Sequence, residues 1–220
     1  MKLYDYSRSS AAHRVRIALG LKGLAFDRAA IDLRAGAQRS PAYLGLNPQG
    51  FVPTLVDGEV RITQSLAAVE YLDEMYPAPP LLPVDAAGRA RVRALAEAIA
   101  CDLHPLQNLC VRRALGERFG ADERAQRGWA RDTIREGLLA WGRLLAAGRP
   151  PGRFAHGDAP GLADLCLVPQ LVGARRYGCD LSGLDDLLQV ERACLALEPF
   201  QRAAPEAEPD AADSDPGSPS

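Results

Sequence analysis

The 220-residue sequence predicts a small α/β domain followed by an all-helical one. Three observations carry that fold class. Strand-like alternation and a hairpin signal occur only in the first third of the chain. A proline-rich stretch, "PAPPLLPVDAAG" at 77–88, then interrupts all periodicity. Beyond it only helical periodicity continues.

In chain order, residues 2–6 ("KLYDY") alternate apolar and polar and predict a strand. Residues 11–22 predict a helix with Val15, Ala18 and Leu19 on one face and Gly23 as its stop. "FDRAAIDL" (26–33) predicts a second strand, and 34–50 a loop with a short helical piece. "VPTLVDGEVRIT" (52–63) predicts a hairpin around Asp57-Gly58, a dipeptide suited to a type I′ turn. "SLAAVEYLDEMY" (65–76) predicts a helix with Ser65 as N-cap, ended by Pro77. The order β-α-β, then β-β-α, implies one mixed sheet with helices on its faces: a parallel pair from the crossover, antiparallel strands from the hairpin.

Downstream, helices are predicted over 89–119, 122–147, 161–178 and 183–197, with Pro105 and Pro169 marking kinks or breaks. Asp164 is read as a structural helix-start residue, with Gly161 at the cap position. Cys110, Trp129 and Trp141 are read as packing residues. The final "EAEPDAADSDPGSPS" is acidic, rich in Pro and Ser, and predicts disorder. The expected organisation is a first domain at 1–80, a linker at 81–88, a helical domain at 89–205 and a disordered tail at 206–220.

A hydrophobic fraction of 47% supports a sizeable core. A formal net charge of −2 argues against a nucleic-acid surface. No run approaches the roughly 18 apolar residues of a membrane span. "MKLYDYSRSS" lacks a signal peptide's apolar centre, so a soluble cytoplasmic protein is expected. Cys101, Cys110, Cys166, Cys179 and Cys194 are odd in number, scattered and without a CxxC pair. They predict reduced thiols, no disulfide framework and no metal site.

The chemistry concentrates in "SRSSAAHRVRIALGLKG" (7–23), where Ser9 and Ser10 precede a helix among three arginines. A helix N-terminus with a hydroxyl suits a phosphate, carboxylate or thiolate. The plainer reading makes Ser10 an N-cap. "TQSLA" places Gln64 and Ser65 at a second helix start, and "FVPTL" puts Pro53 before a strand, either as an edge residue or as a cis-proline.

The run Ser-Ser-x-x-His-Arg-Val-Arg-Ile-Ala-Leu-x-Leu-Lys-Gly from Ser9, then Leu-Asn-Pro-x-x-x-Val-Pro-Thr-Leu from Leu46, then Gln-Ser-Leu-Ala from Gln64, resembles the zeta class of glutathione transferases. That class includes the maleylacetoacetate isomerases. "YPAPPLLP" (76–83), "HPLQNL" (104–109), "ADLCLVPQL" (163–171) and "EPFQRAAPEAEPD" (198–210) extend the resemblance over nearly the whole chain. It implies a thioredoxin-like domain followed by a helical one, with glutathione as cofactor.

By that resemblance Ser9 stabilises the glutathione thiolate, with Ser10 beside it. Val52 pairs its backbone with the cysteinyl part next to cis-Pro53, and Gln64 and Ser65 hold the γ-glutamyl carboxylate. Gln38, His104 and Asn108 match further contacts, and Ala11 and His13 border the same site. Arg8 and Arg176 are candidates for substrate carboxylates; their plainer readings are a loop charge and a surface helix charge. Arg14 and Arg16 are expected to be structural or exposed.

A free thiol has a pKa of about 8.5, so little is thiolate at neutral pH. Lowering it by about two units corresponds to roughly 2.7 kcal/mol of anion stabilisation, within reach of a charge-assisted hydrogen bond plus a helix terminus. The implied reaction is cis–trans isomerisation of maleylacetoacetate to fumarylacetoacetate by thiolate addition, bond rotation and elimination, in aromatic catabolism, by a homodimer. Alternatives are maleylpyruvate isomerisation, glutathione transfer or dehalogenation on α-halo acids, and a non-catalytic glutathione-binding module. The maleylpyruvate branch carries an extra arginine after the asparagine near 108; here Leu109 and Cys110 follow. The family's usual cysteine after the serine pair is Ala11 here. His13 is either a packing residue or an aid to proton transfer.

Overall fold

The computed structural model describes residues 1–148, 150 and 152–209. The chain forms two compact units, one of Met1–Leu81 with the segment from Leu195 onward, the other of Leu82–Cys194. The expected helical domain at 89–205 therefore ends earlier, because the last segment packs with the first unit.

In the first unit, β1 (Lys2–Asp5), α1 (Ser10–Leu21) and β2 (Asp27–Ala30) form a β-α-β crossover. A 3₁₀ turn (Ala37–Arg39) and the short α2 (Pro41–Leu44) fill the predicted loop. The hairpin β3 (Thr54–Asp57) and β4 (Val60–Ile62) leads into α3 (Ser65–Met75). The sheet order is β2-β1-β3-β4, with β1 and β2 parallel and the other pairs antiparallel. Asp57 pairs with Val60, so the turn residues are Gly58 and Glu59. Gly58 has φ 57° and Glu59 has no positive φ, which excludes the expected type I′ turn. The glycine-first arrangement is that of type II′ hairpins.

Helix α1 is buried on more than the predicted face: every residue from Ala12 to Leu19 is covered. Helices α3 and α10 (Glu198–Arg202) both pack on it. Its two arginines are therefore inside, Arg14 at 1% and Arg16 at 3% exposure. Arg16 is fully paired. Its Nη1 donates to both oxygens of buried Asp5 at 2.8 Å, Nη2 to the Ser7 carbonyl at 3.0 Å and Nε to the Ala203 carbonyl at 3.0 Å. Arg28 Nε reaches Asp5 at 2.7 Å, and Glu208 lies 3.0 Å from Arg16 and 2.9 Å from Arg28. Disorder was expected from residue 206. Instead Pro205–Ala207 form a 3₁₀ turn and Glu208 is drawn to two guanidinium groups. Residues 210–220 of the predicted tail lie outside the described residues.

The second unit is helical. It begins with α4 (Ala86–Glu97), three residues inside the predicted linker and capped by Asp85, which accepts from Gly88 N at 2.7 Å. A π-helical segment (Ala98–Leu103) follows, then α5 (His104–Gln107) and α6 (Leu109–Phe119). Pro105 has no N–H and its ring crowds the carbonyl one turn back. The widened turn, with His104 N bonded to the Ile99 carbonyl, makes room for it, and the chain breaks at Asn108, whose ψ is 155°. Helix α7 (Glu123–Ala146) buries a stripe of Ala130, Ile134, Leu138, Trp141 and Leu145, and Trp141 Nε1 donates to the Leu95 carbonyl at 2.8 Å. Trp129, expected to pack, is 44% exposed, and Cys110 is exposed as well. Helix α8 (Leu162–Arg176) runs through Pro169 unbroken. Asp164 accepts from Gly161 N at 2.8 Å and Ala155 N at 2.9 Å, a structural role. Helix α9 (Asp185–Leu195) follows. No disulfide joins any of the five cysteines.

Arg16 generates a stability prediction. Arg16→Leu leaves Asp5 with one of its two cations and is expected to cost about 3–5 kcal/mol, read from urea unfolding. Arg202→Ala, whose pair with Glu198 is exposed on both sides, leaves the midpoint within error.

Candidate active site

Topology brings three chain segments to one edge of the sheet. Helix α1 leaves from the end of β1. Strand β3 starts at that same edge, because it is antiparallel to β1, with Thr54 opposite Tyr4. Strand β4 returns to it, and α3 starts there. Ser9, Val52-Pro53 and Gln64-Ser65 therefore share an edge. Neither α1 nor α3 has an acidic residue in its first turn. The positive ends of α1 and α3 are thus left without a carboxylate in that turn.

Ser9, not Ser10, is the N-cap of α1, and its Oγ accepts from Ala12 N at 3.2 Å. The turn before it is closed by Ser9 N donating to the Tyr6 carbonyl at 2.9 Å. A hydroxyl that accepts in this way keeps its proton for another acceptor. Ser9 is half-buried, Ser10 is the first helical residue and buried, and Ala11 is half-buried. Arg8 is half-buried in the turn between β1 and α1. His13 is 2% exposed, and its Nε2 has no partner among the described residues. Burial first, then the charges of Arg16 and Arg14, hold its pKa well below the ordinary histidine value. It is a neutral imidazole at physiological pH, which favours the packing reading.

The Val52-Pro53 bond is cis. The loop before it is tied from one side. Tyr43 Oη donates to the Phe51 carbonyl at 2.6 Å and so accepts from Thr54 Oγ1 at 3.1 Å, because a phenol has one proton. Asn47 Nδ2 donates to the same carbonyl at 2.8 Å. Gly50 sits at φ 64° with its Cα against Arg39 and the Gln38 carbonyl, where a Cβ would meet atoms 3.0 Å away. Gln38 is buried; its Nε2 donates to the Leu33 carbonyl at 3.4 Å, and its Oε1 is unpartnered among the described residues.

Gln64, not Ser65, is the N-cap of α3, and it makes no side-chain cap. Its Nε2 donates to Gln49 Oε1 at 3.0 Å. Ser65 is the first helical residue, and its Oγ accepts from Arg14 Nη1 at 3.2 Å. The donor set of this edge fits a ligand with a thiolate and a carboxylate: a hydroxyl with its proton available at one helix start, uncapped N–H groups and a second hydroxyl at another.

The remaining predicted residues belong to the second unit. His104 opens α5 and is half-buried. Asn108 is the N-cap of α6, half-buried, with no side-chain cap bond. Arg176 ends α8, exposed, with its guanidinium 5.7 Å from the Tyr177 ring; Arg112 lies 5.3 Å and Arg127 5.7 Å from the same ring. Arg175 points elsewhere, as adjacent helix positions require, and binds Glu191 through both carboxylate oxygens. The sequence reading missed Tyr43, Asn47 and the burial of Arg14. Asn47 lies inside the quoted Leu-Asn-Pro run. Arg14 stands one helical turn before Ala18, on the predicted core stripe, and that spacing was the available signal.

Residues 8–75 match the family described as glutathione S-transferase, N-terminal domain. A maleylacetoacetate isomerase of Rhizobium meliloti (strain 1021) is 49% identical over 205 residues, 93% of this chain and 95% of that protein. Among solved structures, the holo form of a maleylpyruvate isomerase, a bacterial zeta-class glutathione S-transferase, superposes with a TM-score of 0.93 at 46% identity, covering 96% of this chain and 99% of that one. A maleylacetoacetate isomerase of Methylobacterium extorquens AM1 with bound malonate and glutathione superposes with a TM-score of 0.92 at 41% identity, covering 95% and 98%.

The buried histidine makes stability depend on pH. The folded state keeps His13 neutral, while the unfolded chain takes up a proton below about pH 6.5. Stability is therefore full above that pH, falls as pH drops below it, and levels off beneath the depressed folded-state pKa. Urea midpoints between pH 7.5 and 5 should decline more steeply for the wild type than for His13→Gln; parallel curves would contradict the assignment.

Proposed function

The chain belongs to the zeta class of glutathione transferases, and on that premise we propose that it is a glutathione-dependent cis–trans isomerase of maleylacetoacetate. The observation that carries the reading is Ser9: a helix-capping hydroxyl, already accepting from Ala12, with its proton available at the edge where two helix starts converge.

Glutathione, when bound, supplies the thiolate whose reversible addition to an activated double bond permits rotation from cis to trans. Ser9 donates to that sulfur and, with the N-terminus of α1 and Ser10, favours its anionic form. Ala11 and His13 border this position, His13 as a neutral packing group. The Val52 backbone beside cis-Pro53 aligns the cysteinyl part, and Gln64 and Ser65 hold the γ-glutamyl carboxylate. Gln38, His104 and Asn108 complete the glutathione set. Arg8 and Arg176 take the carboxylates of the diketo acid. Tyr43 and Asn47 hold the loop that presents Val52.

The proposal extends to a homodimer acting in the cytoplasm, in the breakdown of aromatic compounds. Among the described residues no helix is long and apolar enough to cross a membrane, which accords with that setting. Maleylpyruvate is the second reading, supported by the isomerase of that name at 46% identity.

The test is isomerisation of maleylacetone, a stable stand-in for maleylacetoacetate, beside maleylpyruvate, with and without glutathione. Turnover of maleylacetone should require glutathione. It should fall about 10- to 100-fold in Ser9→Ala, the loss expected if the sulfur's pKa returns by one to two units. Preference for maleylpyruvate moves the assignment to the second reading. Halide release from an α-halo acid without isomerisation identifies a dehalogenating transferase. Glutathione binding with no turnover of any of these identifies a binding module.

A further inference from the structure

Two arginines stand two residues apart on α1, both buried, and only one has every guanidinium nitrogen partnered. Arg16 meets two carboxylates and two carbonyls. Arg14 makes one bond, from Nη1 to Ser65 Oγ, while its Nε and Nη2 are unpartnered among the described residues. No carboxylate of the described residues pairs with it. A guanidinium cannot shed its proton, and burying an unmatched charge is costly. Arg16 shows what the fold does with an arginine whose role is structural. Arg14 departs from that treatment.

Its single bond ends on the first residue of α3. A serine hydroxyl has one proton and two acceptor positions. By occupying an acceptor position, Nη1 turns the Ser65 proton toward a different group and polarises it as a donor. The charge itself stands behind an eleven-residue helix whose N-cap side chain does not cap it and whose first turn has no acidic residue. Hydroxyl donor, uncapped N–H groups and unmatched cation all favour an anion there.

We propose that Arg14 is a positioning residue: its buried guanidinium orients the Ser65 hydroxyl and supplies the positive charge that seats the γ-glutamyl α-carboxylate of glutathione at the N-terminus of α3. The inference rests on the glutathione reading above. It assigns to a residue behind the site a share of the recognition otherwise given to Gln64 and Ser65.

The experiment measures binding by calorimetry for two ligands, glutathione and 4-aminobutyryl-cysteinylglycine, which lacks only that carboxylate. In Arg14→Gln the Kd for glutathione should rise about tenfold or more, the range of a hydrogen bond to a charged group, while the analogue changes by less than about twofold. Arg14→Lys keeps the charge and should lie between. Equal losses for both ligands, or no loss for either, would overturn the proposal. If the variants fail to fold, the wild type decides. The Nε–H resonance of Arg14, assigned by arginine labelling, should shift with glutathione and not with saturating analogue; no shift, or the same shift with both, refutes the role. A wild-type protein that binds no glutathione defeats the underlying reading instead, an outcome distinct from binding that is indifferent to Arg14.

Discussion

The buried guanidinium of Arg16 is matched by carboxylates and carbonyls where it lies, and that network organises the first unit. Asp5 at the end of β1 answers it, and Asp5 in turn recruits Arg28 from β2. Two cations and one anion leave a positive residue, which Glu208 neutralises from the far end of the chain. The last segment therefore returns to the first unit, and α10 covers the flank of α1 that a simple two-layer fold would leave to water. Locking α1 against the sheet also determines where its N-terminus sits, and with it Ser9.

The candidate edge follows from connectivity more than from any single contact. A parallel crossover followed by an antiparallel hairpin delivers two helix starts and one strand start to the same side. The side chains then refine what topology supplies. Tyr43 and Asn47 converge on one carbonyl, so the backbone at Val52 is presented from a loop with two anchors. The first turns of α1 and α3 hold no acidic residue, so both termini at this edge keep their positive ends.

Much of this was legible in the sequence, and the rest was hidden for identifiable reasons. The strands, the hairpin and α3 rest on local alternation and punctuation, which short windows report faithfully. The serine pair, Pro53 and Gln64-Ser65 were visible as helix starts and a strand start. Cap positions slipped by one at both helices, since adjacent polar residues compete for that place and only geometry decides. Periodicity read α1 as amphipathic and left Arg14 and Arg16 open between a structural and an exposed place. It could not see that α10, more than 170 positions away, would cover the other face. The same non-locality hid Glu208: an acidic, proline-rich terminus reads as solvated chain until two buried arginines are known to face it.

The contrast between Arg14 and Arg16 bears on stability as well as on recognition. An unmatched buried charge lowers the stability of the ligand-free fold, because the unfolded chain hydrates that guanidinium fully. On the proposed role of Arg14, a ligand carboxylate seated at α3 would match that charge, so part of what it gains on binding would be relief of a cost already present in the protein. Folded stability and occupancy are then linked through one residue, with the ligand-bound form favoured beyond what its surface contacts alone would supply. Replacing Arg14 by an apolar side chain of similar volume would remove that cost along with the attraction. Such a variant can be as stable as the wild type without ligand and yet gain less from glutathione. That pattern separates a binding device from a structural pair, for which truncation weakens the fold whether or not ligand is present.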